Sequence, residues 1–199
     1  MKIAAVVLAA GLSRRYGPEN KLLQSLDGVP MIRRVVETIR GSKVDEIILV
    51  TGHQKEEVEA VLSGITDLHF VHNPEFEKGM STSISVGAKS LGNIDACLIC
   101  LGDLPHLKSQ DYNQLIELFD QEKSLNRIMI PTFRGKKGHP VVFGSAFFDD
   151  LNNLTATDEG AWRVVLKHKS FVREVEMDTD RILTDIDHKD PQQSDNHGV

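Results

Sequence analysis

The first residues that could do chemistry follow a short apolar run near the start of the chain. Ile3 to Leu8 are continuously aliphatic, and Ala9 to Gly11 then lead into three cations, Arg14, Arg15 and Lys21. A glycine-bearing turn brings backbone N–H groups together in a concavity that binds anions. Arginine neutralises phosphate through its planar fork and lysine as a point charge. The pattern predicts a phosphate-binding loop; a surface loop with three solvated cations is the alternative.

Carboxylates supply the second chemical feature. Asp103 directly follows Asp95 to Leu101, which predicts a buried strand, and ligands bind at the carboxyl ends of such strands in open α/β sheets. Asp185 and Asp187 flank Ile186 in a predicted strand, where period-two alternation sends both carboxylates to one face. Mg²⁺ bound to a triphosphate keeps one or two protein carboxylates. We therefore expect Asp103 with Asp185 or Asp187 to bind Mg²⁺, and aspartates of turns and caps are the alternative.

A cluster of hydroxyls begins the helix that the sequence predicts after residue 80. Ser81, Thr82 and Ser83 follow Gly79. The hydroxyls are typical of a helix N-terminus, where they cap the backbone. Together with the Gly79 backbone, they could instead bind a nucleobase or a ribose.

A second basic cluster lies between residues 134 and 139. It comprises Arg134, Lys136, Lys137 and His139, and predicts either a solvated hairpin tip or an anion site. His139, next to Pro140, could position an acceptor, although a single histidine can equally be structural.

Cys97 and Cys100 form a C-x-x-C spacing that can indicate redox or metal chemistry. They lie inside the predicted strand before Asp103, where residues three apart point to opposite faces. A redox pair needs a helix start, and zinc needs more ligands. We expect two buried hydrophobic side chains.

Apolar strands alternate with amphipathic helices through residue 131, which predicts a doubly wound α/β domain with a mostly parallel sheet. The last third predicts a β-hairpin, a helix over Asp158 to His168, and strands over Val172 to Met177 and Ile182 to Ile186. Since no linker or repeat separates these parts, residues 1–187 are expected to form one domain. Residues 188–199 are polar and are expected to be a disordered tail.

Composition limits the classes of function. The chain has 199 residues, a net charge of −6, 40% hydrophobic and 26% charged residues, as in soluble globular proteins. The negative charge disfavours non-specific nucleic-acid binding. No apolar run approaches the ~20 residues of a membrane span, and the first strand begins without a charged leader. We expect a cytoplasmic protein that binds neither nucleic acid nor membrane.

The opening loop matches neither common phosphate motif, because it lacks G-x-x-x-x-G-K-[ST] and G-x-G-x-x-G. Leu8 to Gly17, with Lys21 beyond, instead resembles the molybdenum-cofactor nucleotidyltransferase signature L-A-A/G-G-x-S-x-R-M/F-G, which sugar-phosphate nucleotidyltransferases share in a looser form. Further ordered matches are Asn73-Pro74 with Gly79 to Ser83, Gly102-Asp103-Leu104-Pro105, Gly138 to Phe143, Asp158-Glu159-Gly160-Ala161, and Asp185-Ile186-Asp187. Trp162 stands where that family has arginine.

This resemblance implies a Rossmann-like nucleotidyltransferase fold and an activity that depends on Mg²⁺, with Mn²⁺ as a substitute. It implies transfer of CMP from CTP to molybdopterin, release of pyrophosphate, and a molybdenum hydroxylase apo-enzyme as recipient. The implied nucleotide-binding residues are Leu8, Ala9, Ala10, Gly11, Arg15, Lys21, Gly79, Ser81 and Ser83. Arg15, Lys21 and Asp103 are the expected catalytic residues, the late aspartate completes the metal site, and His139 and Pro140 would contact the acceptor.

Two alternatives stay open. Within the same class, the chain could transfer GMP or make a nucleotidyl sugar, although Ala9-Ala10-Gly11 is typical of the cytidylyl branch where the guanylyl branch has Ala-Gly-Gly. In a different class, it could be a non-catalytic chaperone that binds nucleotide or cofactor without turnover.

Overall fold

The structure is a computed structural model that describes residues 1–13, 16 and 20–186. Its strands are β1 Ile3–Ala9, β2 Ser25–Leu26, β3 Val29–Pro30, β4 Glu46–Thr51, β5 Leu68–His72, β6 Ala96–Leu101, β7 Ile128–Phe133, β8 Lys136–Lys137, β9 Val141–Gly144 and β10 Val172–Glu176. Its helices are α1 Met31–Arg40, α2 Lys55–Val61, α3 Met80–Lys89, α4 Ser109–Glu122, α5 Phe148–Asn152 and α6 Trp162–Lys167. Short 3₁₀ turns include Lys21–Leu23 and Asp180–Leu183.

The main sheet confirms the predicted α/β class. Its strands lie in the order β10-β7-β9-β6-β1-β4-β5, and β8 pairs with β7. β1 is parallel to both β4 and β6, β4 to β5, and β7 to β10. β9 runs antiparallel between β6 and β7, because the chain turns back through the β7–β8 hairpin. The sheet is therefore mostly parallel, with the hairpin elaboration in the last third.

The core has one apolar layer on each face of this sheet, as expected for strands that are aliphatic throughout. α1 and α4 cover one face, where Val35 and Phe119 are fully enclosed. α3 and α5 cover the other, and Gly87 lets α3 approach β1 because a Cβ there would collide with Val6. Both faces of β1 and β6 are thus closed, so only their carboxyl ends can present residues to a ligand.

Cys97 and Cys100 are free and buried on opposite faces of β6, one in each apolar layer. Burial raises the pKa of both thiols well above the ordinary range. The prediction of two buried hydrophobic side chains is confirmed.

Two predictions about the last third are wrong. Residues 182–186 form no strand; the 3₁₀ turn Asp180–Leu183 is followed by irregular chain. The Ile182 carbonyl accepts a hydrogen bond from the His139 backbone at 3.0 Å, which ties this turn to the loop before β9. The predicted helix from Asp158 begins only at Trp162, because the preceding residues bind α3 instead.

None of the helices in the described part of the chain has the length and apolarity that a bilayer crossing requires. Arg14, Arg15, Asp187 and the proposed tail over residues 188–199 lie outside the described residues.

Candidate functional site

A cavity of about 540 Å³ opens at the carboxyl ends of β1 and β6. Its wall combines the loop after β1, the loop after β6, the start of α3 and the chain after the last 3₁₀ turn. The residues named from the sequence that line it are Leu8, Ala10, Gly11, Lys21, Gly79, Ser83, Asp103 and Asp185. We call this the first cavity. Segments separated by more than 170 residues in sequence therefore meet at one site.

Lys21 and Asp103 form an ion pair in the wall of the first cavity. The Nζ of Lys21 lies 2.6 Å from Oδ2 of Asp103, and the two side chains are 12% and 24% exposed. Asp103 follows β6 and Lys21 begins the 3₁₀ turn behind the loop after β1. Because water is largely excluded, the two charges interact more strongly than a solvated surface pair.

Asn20 fixes the base of the loop that carries Lys21, and sequence reasoning did not single it out. The side chain is 1% exposed and its Oδ1 accepts the Leu22 amide at 3.0 Å. The Ser13 hydroxyl accepts the Lys21 amide at 3.1 Å. Asparagine caps of this kind satisfy the amides at a helix start. An asparagine immediately before Lys21-Leu22-Leu23 was the available signal.

Gly11 and Gly79 differ in the space that surrounds the position where a Cβ would lie. A Cβ at Gly11 would meet no atom of the described residues within 4 Å, so among them it would project into open space. Gly79 has φ +109°, and a Cβ there would lie 2.6 Å from the Thr157 carbonyl carbon. Gly79 is therefore required by the fold, whereas only a ligand would give Gly11 a steric reason to be glycine.

The hydroxyl groups at the start of α3 have two different roles: one stabilises the fold and another lines the first cavity. The hydroxyl of Ser81, which is fully buried, donates to the Gly160 carbonyl at 3.0 Å and lies outside the lining of the first cavity. Ser83 does line the cavity, and its Oγ accepts a hydrogen bond from Asn73 Nδ2 at 2.9 Å. The structure thus places Ser83 where a ligand could reach it and uses Ser81 to hold the 157–160 loop.

Ala9 is fully buried in the core beneath the first cavity, so its side chain does not line it. Phe76 and Glu77 do line it, and no local pattern in the sequence singles them out. They belong to a 3₁₀ turn whose position depends on packing against Gly52, a contact between distant segments.

Asp185 reaches the first cavity by a route different from the predicted strand. Arg181 makes a two-pronged ion pair with Asp111 of α4, with Nε–Oδ2 and Nη2–Oδ1 distances of 2.9 and 2.7 Å. Farther along, the Ile186 amide donates to the Asp103 carbonyl at 3.4 Å. These contacts hold the chain against the loop after β6. Asp185 consequently shares the cavity with Asp103 without any strand alternation.

The carboxylates present fit a hard divalent cation. Asp103 and Asp185 supply oxygen donors to the same cavity, and Mg²⁺ bound to phosphate needs only one or two such ligands. Within the described residues no group of three or more histidine, cysteine or acidic side chains could hold a metal by itself. The donor set is thus suited to a cation that arrives with phosphate oxygens, and unsuited to zinc.

A second cavity of about 280 Å³ adjoins the first. Met80 and Asp158 line both, so the two spaces meet at the start of α3. His139 lines the second cavity, and Pro140 is buried beside it. Burial lowers the pKa of His139, while the Ile99 carbonyl and the Asp103 carboxylate raise it to a smaller extent. His139 is therefore held as the neutral imidazole at neutral pH.

Together the two cavities can bind a polyanion next to a second molecule. The first offers a cation, carboxylates and an open glycine turn, which suit a triphosphate with its metal. The second is mostly apolar, which suits the body of an acceptor. Adjacent sites of this kind favour group transfer, because they convert a bimolecular encounter into a positioned one.

The chain matches a family model described as the MobA-like NTP transferase domain over residues 5–172. It is 25% identical over 191 residues to the molybdenum cofactor cytidylyltransferase of Escherichia coli (strain K12), with 94% of this chain and 92% of that protein covered. It is also 25% identical over 163 residues to the bifunctional protein GlmU of Syntrophomonas wolfei, covering 80% of this chain and 36% of that protein. The chain spans about a third of the length of the GlmU proteins that it matches.

Solved structures show the same architecture. Rv0371c of Mycobacterium tuberculosis H37Rv superposes with a TM-score of 0.80 at 26% identity, covering 94% of this chain and 93% of that one. That protein has also been solved as a complex with manganese, which matches at 24% identity. A nucleotidyl transferase from Methanothermobacter has a TM-score of 0.79 at 28% identity, covering 94% and 92%.

Proposed function

Since the chain belongs to the MobA-like NTP transferase family, we propose that it transfers CMP from CTP to the molybdopterin of the molybdenum cofactor and releases pyrophosphate. The nucleotidyltransferase class follows from the family. CTP and molybdopterin are supported by the Escherichia coli cytidylyltransferase, which is similar over nearly the full length of both chains. The recipient of the product would be a molybdenum hydroxylase apo-enzyme.

The observation that carries the proposal is the meeting of Lys21, Asp103 and Asp185 at one cavity with the open turn at Gly11. The triphosphate would lie along the turn from Ala9 to Gly11, where backbone amides and Lys21 can receive its charge. Such a site provides positioning and charge neutralisation, which are what phosphoryl transfer chiefly requires.

In the proposed reaction an oxygen of the acceptor's terminal phosphate attacks the α-phosphorus of CTP. The bond from that phosphorus to the α–β bridging oxygen breaks, and pyrophosphate leaves with the electron pair. Lys21 and Arg15 would stabilise charge on the phosphoryl oxygens in the transition state. Asp103 orients the Lys21 ammonium at the cavity wall through their 2.6 Å contact.

Asp103, with Asp185 or Asp187, would hold Mg²⁺, and Mn²⁺ could replace it, as the manganese complex of the related Rv0371c suggests. When bound there, the cation would polarise the α-phosphate and neutralise charge on the leaving pyrophosphate. On the acceptor side, His139 borders the second cavity, where the acceptor would lie beside the triphosphate, and the buried Pro140 would support it from behind.

A turnover assay tests the proposal. Purified protein with Mg²⁺ and molybdopterin would be given CTP, GTP, UTP or ATP in turn, and pyrophosphate release and the dinucleotide product would be measured. We expect turnover with CTP that requires both acceptor and metal. Replacing molybdopterin with a hexose 1-phosphate tests the sugar-nucleotide alternative. Saturable binding without pyrophosphate release would indicate a chaperone and overturn the proposal.

A further inference from the structure

Trp162 is the single tryptophan of the chain, and it lies at the rim of the second cavity. It is 41% exposed, unusually open for a large aromatic side chain. The Nζ of Lys137 lies 5.0 Å from the centroid of its ring and also 2.9 Å from Oε1 of Glu174. Because both charged side chains are well exposed, Lys137 covers the ring loosely and keeps Glu174 as a partner if it moves away.

The lining of the second cavity is mostly apolar, and its polar side chains are Lys137, His139, Asp158 and Glu159. Ile84, Ile99, Phe143 and Val165 supply much of its wall. The Nδ1 of His139 is buried and has no hydrogen-bond partner among the described residues. A buried polar atom without a partner costs free energy, so its presence at a cavity wall suggests a ligand group that satisfies it.

The protonation of His139 specifies what kind of group that is. Burial disfavours the charged imidazolium, and the hydrogen bond with the Ile99 backbone opposes this effect only in part. In the neutral ring with its proton on Nε2, the unpartnered Nδ1 presents a lone pair. The atom it lacks is therefore a donor, an N–H or O–H of the bound molecule.

We infer that Trp162 and His139 form a subsite for an acceptor with a planar heteroaromatic ring. The ring stacks on Trp162 in place of Lys137, and one of its N–H groups donates to Nδ1 of His139. This inference rests on the proposed function, because Met80 and Asp158 join the subsite to the nucleotide cavity. A sugar fits less well, since the mostly apolar wall favours the face of a planar ring over a ring that carries hydroxyls on all sides.

Fluorescence of Trp162 tests the subsite directly, because no other tryptophan contributes to the signal. The protein would be titrated, without nucleotide, with a pterin carrying a 6-hydroxymethyl monophosphate and separately with glucose 1-phosphate. Free N-acetyltryptophanamide corrects for absorption by the pterin. We expect saturable quenching by the pterin phosphate and none by the sugar phosphate. Equal quenching by both, or none by the pterin at concentrations that saturate turnover, would overturn the inference.

Variants separate stacking from general damage. Trp162→Leu should raise the KM for acceptor by about ten- to hundredfold, the usual worth of one stacked base, and leave the KM for CTP unchanged. Trp162→Phe should retain most of the affinity. Leu166→Ala is the matched control, because Leu166 is equally exposed one helical turn later and lies outside the second cavity. A Trp162→Leu variant with wild-type KM would refute the stacking role.

The Lys137→Ala variant tests whether the acceptor displaces Lys137 from the ring of Trp162. If Lys137 merely covers the ring, its removal should leave the affinity for the pterin phosphate equal or higher. A loss as large as that of Trp162→Leu would show that Lys137 contacts the acceptor and would refute displacement. Lys136→Ala, an exposed neighbour in β8, is the control. Failure of the proposed function is distinguishable, since it appears as no pyrophosphate release with any acceptor, whatever the fluorescence shows.

Discussion

The ammonium of Lys21 lies 2.6 Å from the carboxylate of Asp103, although 82 residues separate them in the chain. The contact joins the loop after β1 to the loop after β6, the two neighbouring strands at the centre of the sheet. Because both side chains are mostly shielded from water, the two charges stabilise each other more strongly than a solvated surface pair would. The pair therefore fixes the charge distribution of the first cavity before any ligand enters.

Asp103→Asn should abolish most of the turnover while leaving the fold intact. The substitution keeps the shape but removes the charge that holds Lys21 and would bind metal, and loss of such a contact typically lowers kcat by ~10²–10³. Steady-state pyrophosphate release and thermal unfolding would be measured together. The control is Asp150→Asn: Asp150 is similarly exposed, pairs with Lys167 at 2.6 Å and lies outside both cavities. Near-wild-type turnover of Asp103→Asn at saturating Mg²⁺ would contradict the assignment.

Gly11→Ala should impair nucleotide use without affecting stability. A Cβ at Gly11 meets no atom within 4 Å in the part of the chain that the structure describes, so the melting temperature should not change. If the triphosphate lies on this turn, the added methyl displaces it, and misplacement of about 1 Å can cost ~10² in kcat/KM. Gly92→Ala is the matched control, since its Cβ would also meet open space. Equal kcat/KM for the two variants would place the triphosphate elsewhere.

The strands and central helices could be predicted because their signals are local. The aliphatic runs of β1 and β6 require burial on both faces, and the spacing of α1 requires one apolar face. The prediction of a strand over residues 182–186 was wrong because contacts with distant segments determine the structure there. Its alternation is genuine, but the Ile182 carbonyl is bound by the His139 amide and Arg181 by Asp111. Partners so distant in sequence leave no mark in a local pattern.

For the candidate site, too, the sequence predicted individual residues but not the contacts between them. Asp103 and Lys21 could be named because one follows a buried strand and the other follows a glycine turn, yet nothing in either segment indicated that the two touch. Asn20 was missed, since a buried cap resembles any loop asparagine. Ser81 was assigned to the nucleotide from its residue type, but the carbonyl that it binds lies 79 residues away.

Arg181→Ala should lower both the stability of the protein and its kcat. Asp111 is 6% exposed, so losing the guanidinium leaves a buried carboxylate whose remaining hydrogen bond, among the described residues, is from the Lys108 amide; the cost is about 1–3 kcal/mol. Because the same ion pair holds the chain that carries Asp185, kcat should fall as well. Arg181→Lys should recover only part of both, since lysine lacks the planar fork.

Urea unfolding at neutral pH measures the stability change. Arg163→Ala is the control, because Arg163 pairs with Glu159 at an exposed site, where such pairs contribute about 0.2–1 kcal/mol. If Arg181→Ala is no less stable than Arg163→Ala, the Asp111 pair does not hold the last segment.

The stability of the protein should fall as the pH drops below the ordinary histidine pKa of 6.5, partly because of His139. Burial lowers the pKa of His139 in the folded state, so between 6.5 and that lower value the unfolded chain binds a proton that the folded protein does not. His139→Gln should therefore flatten the pH dependence of the urea midpoint just below pH 6.5. His69→Gln, at an exposed position of edge strand β5, should not. Identical pH profiles for wild type and His139→Gln would show that the imidazole is not held neutral.

CTP should be preferred over GTP, and Ala10 should contribute to the preference. Ala10 is 3% exposed, lines the first cavity, and its Cβ faces Gly52, where an added Cβ would come within 2.8 Å. The methyl group therefore occupies space that glycine would leave for a purine. Guanine also brings an N1–H and an amino group that need acceptors, and burying them unpaired costs about 1–3 kcal/mol. This corresponds to a preference of roughly ten- to hundredfold.

Ala10→Gly should relax this preference without reversing it, because Gly79, Met80 and Ser83 also line the first cavity and would contact the base. The measurement is kcat/KM for CTP and GTP with the same acceptor, for wild type and variant. Ala146→Gly, at an exposed position outside both cavities, shows whether an added glycine changes the ratio by itself. Equal or greater efficiency of the wild type with GTP would refute the cytidylyl assignment, whereas the nucleotidyltransferase class, which follows from the family, would stand.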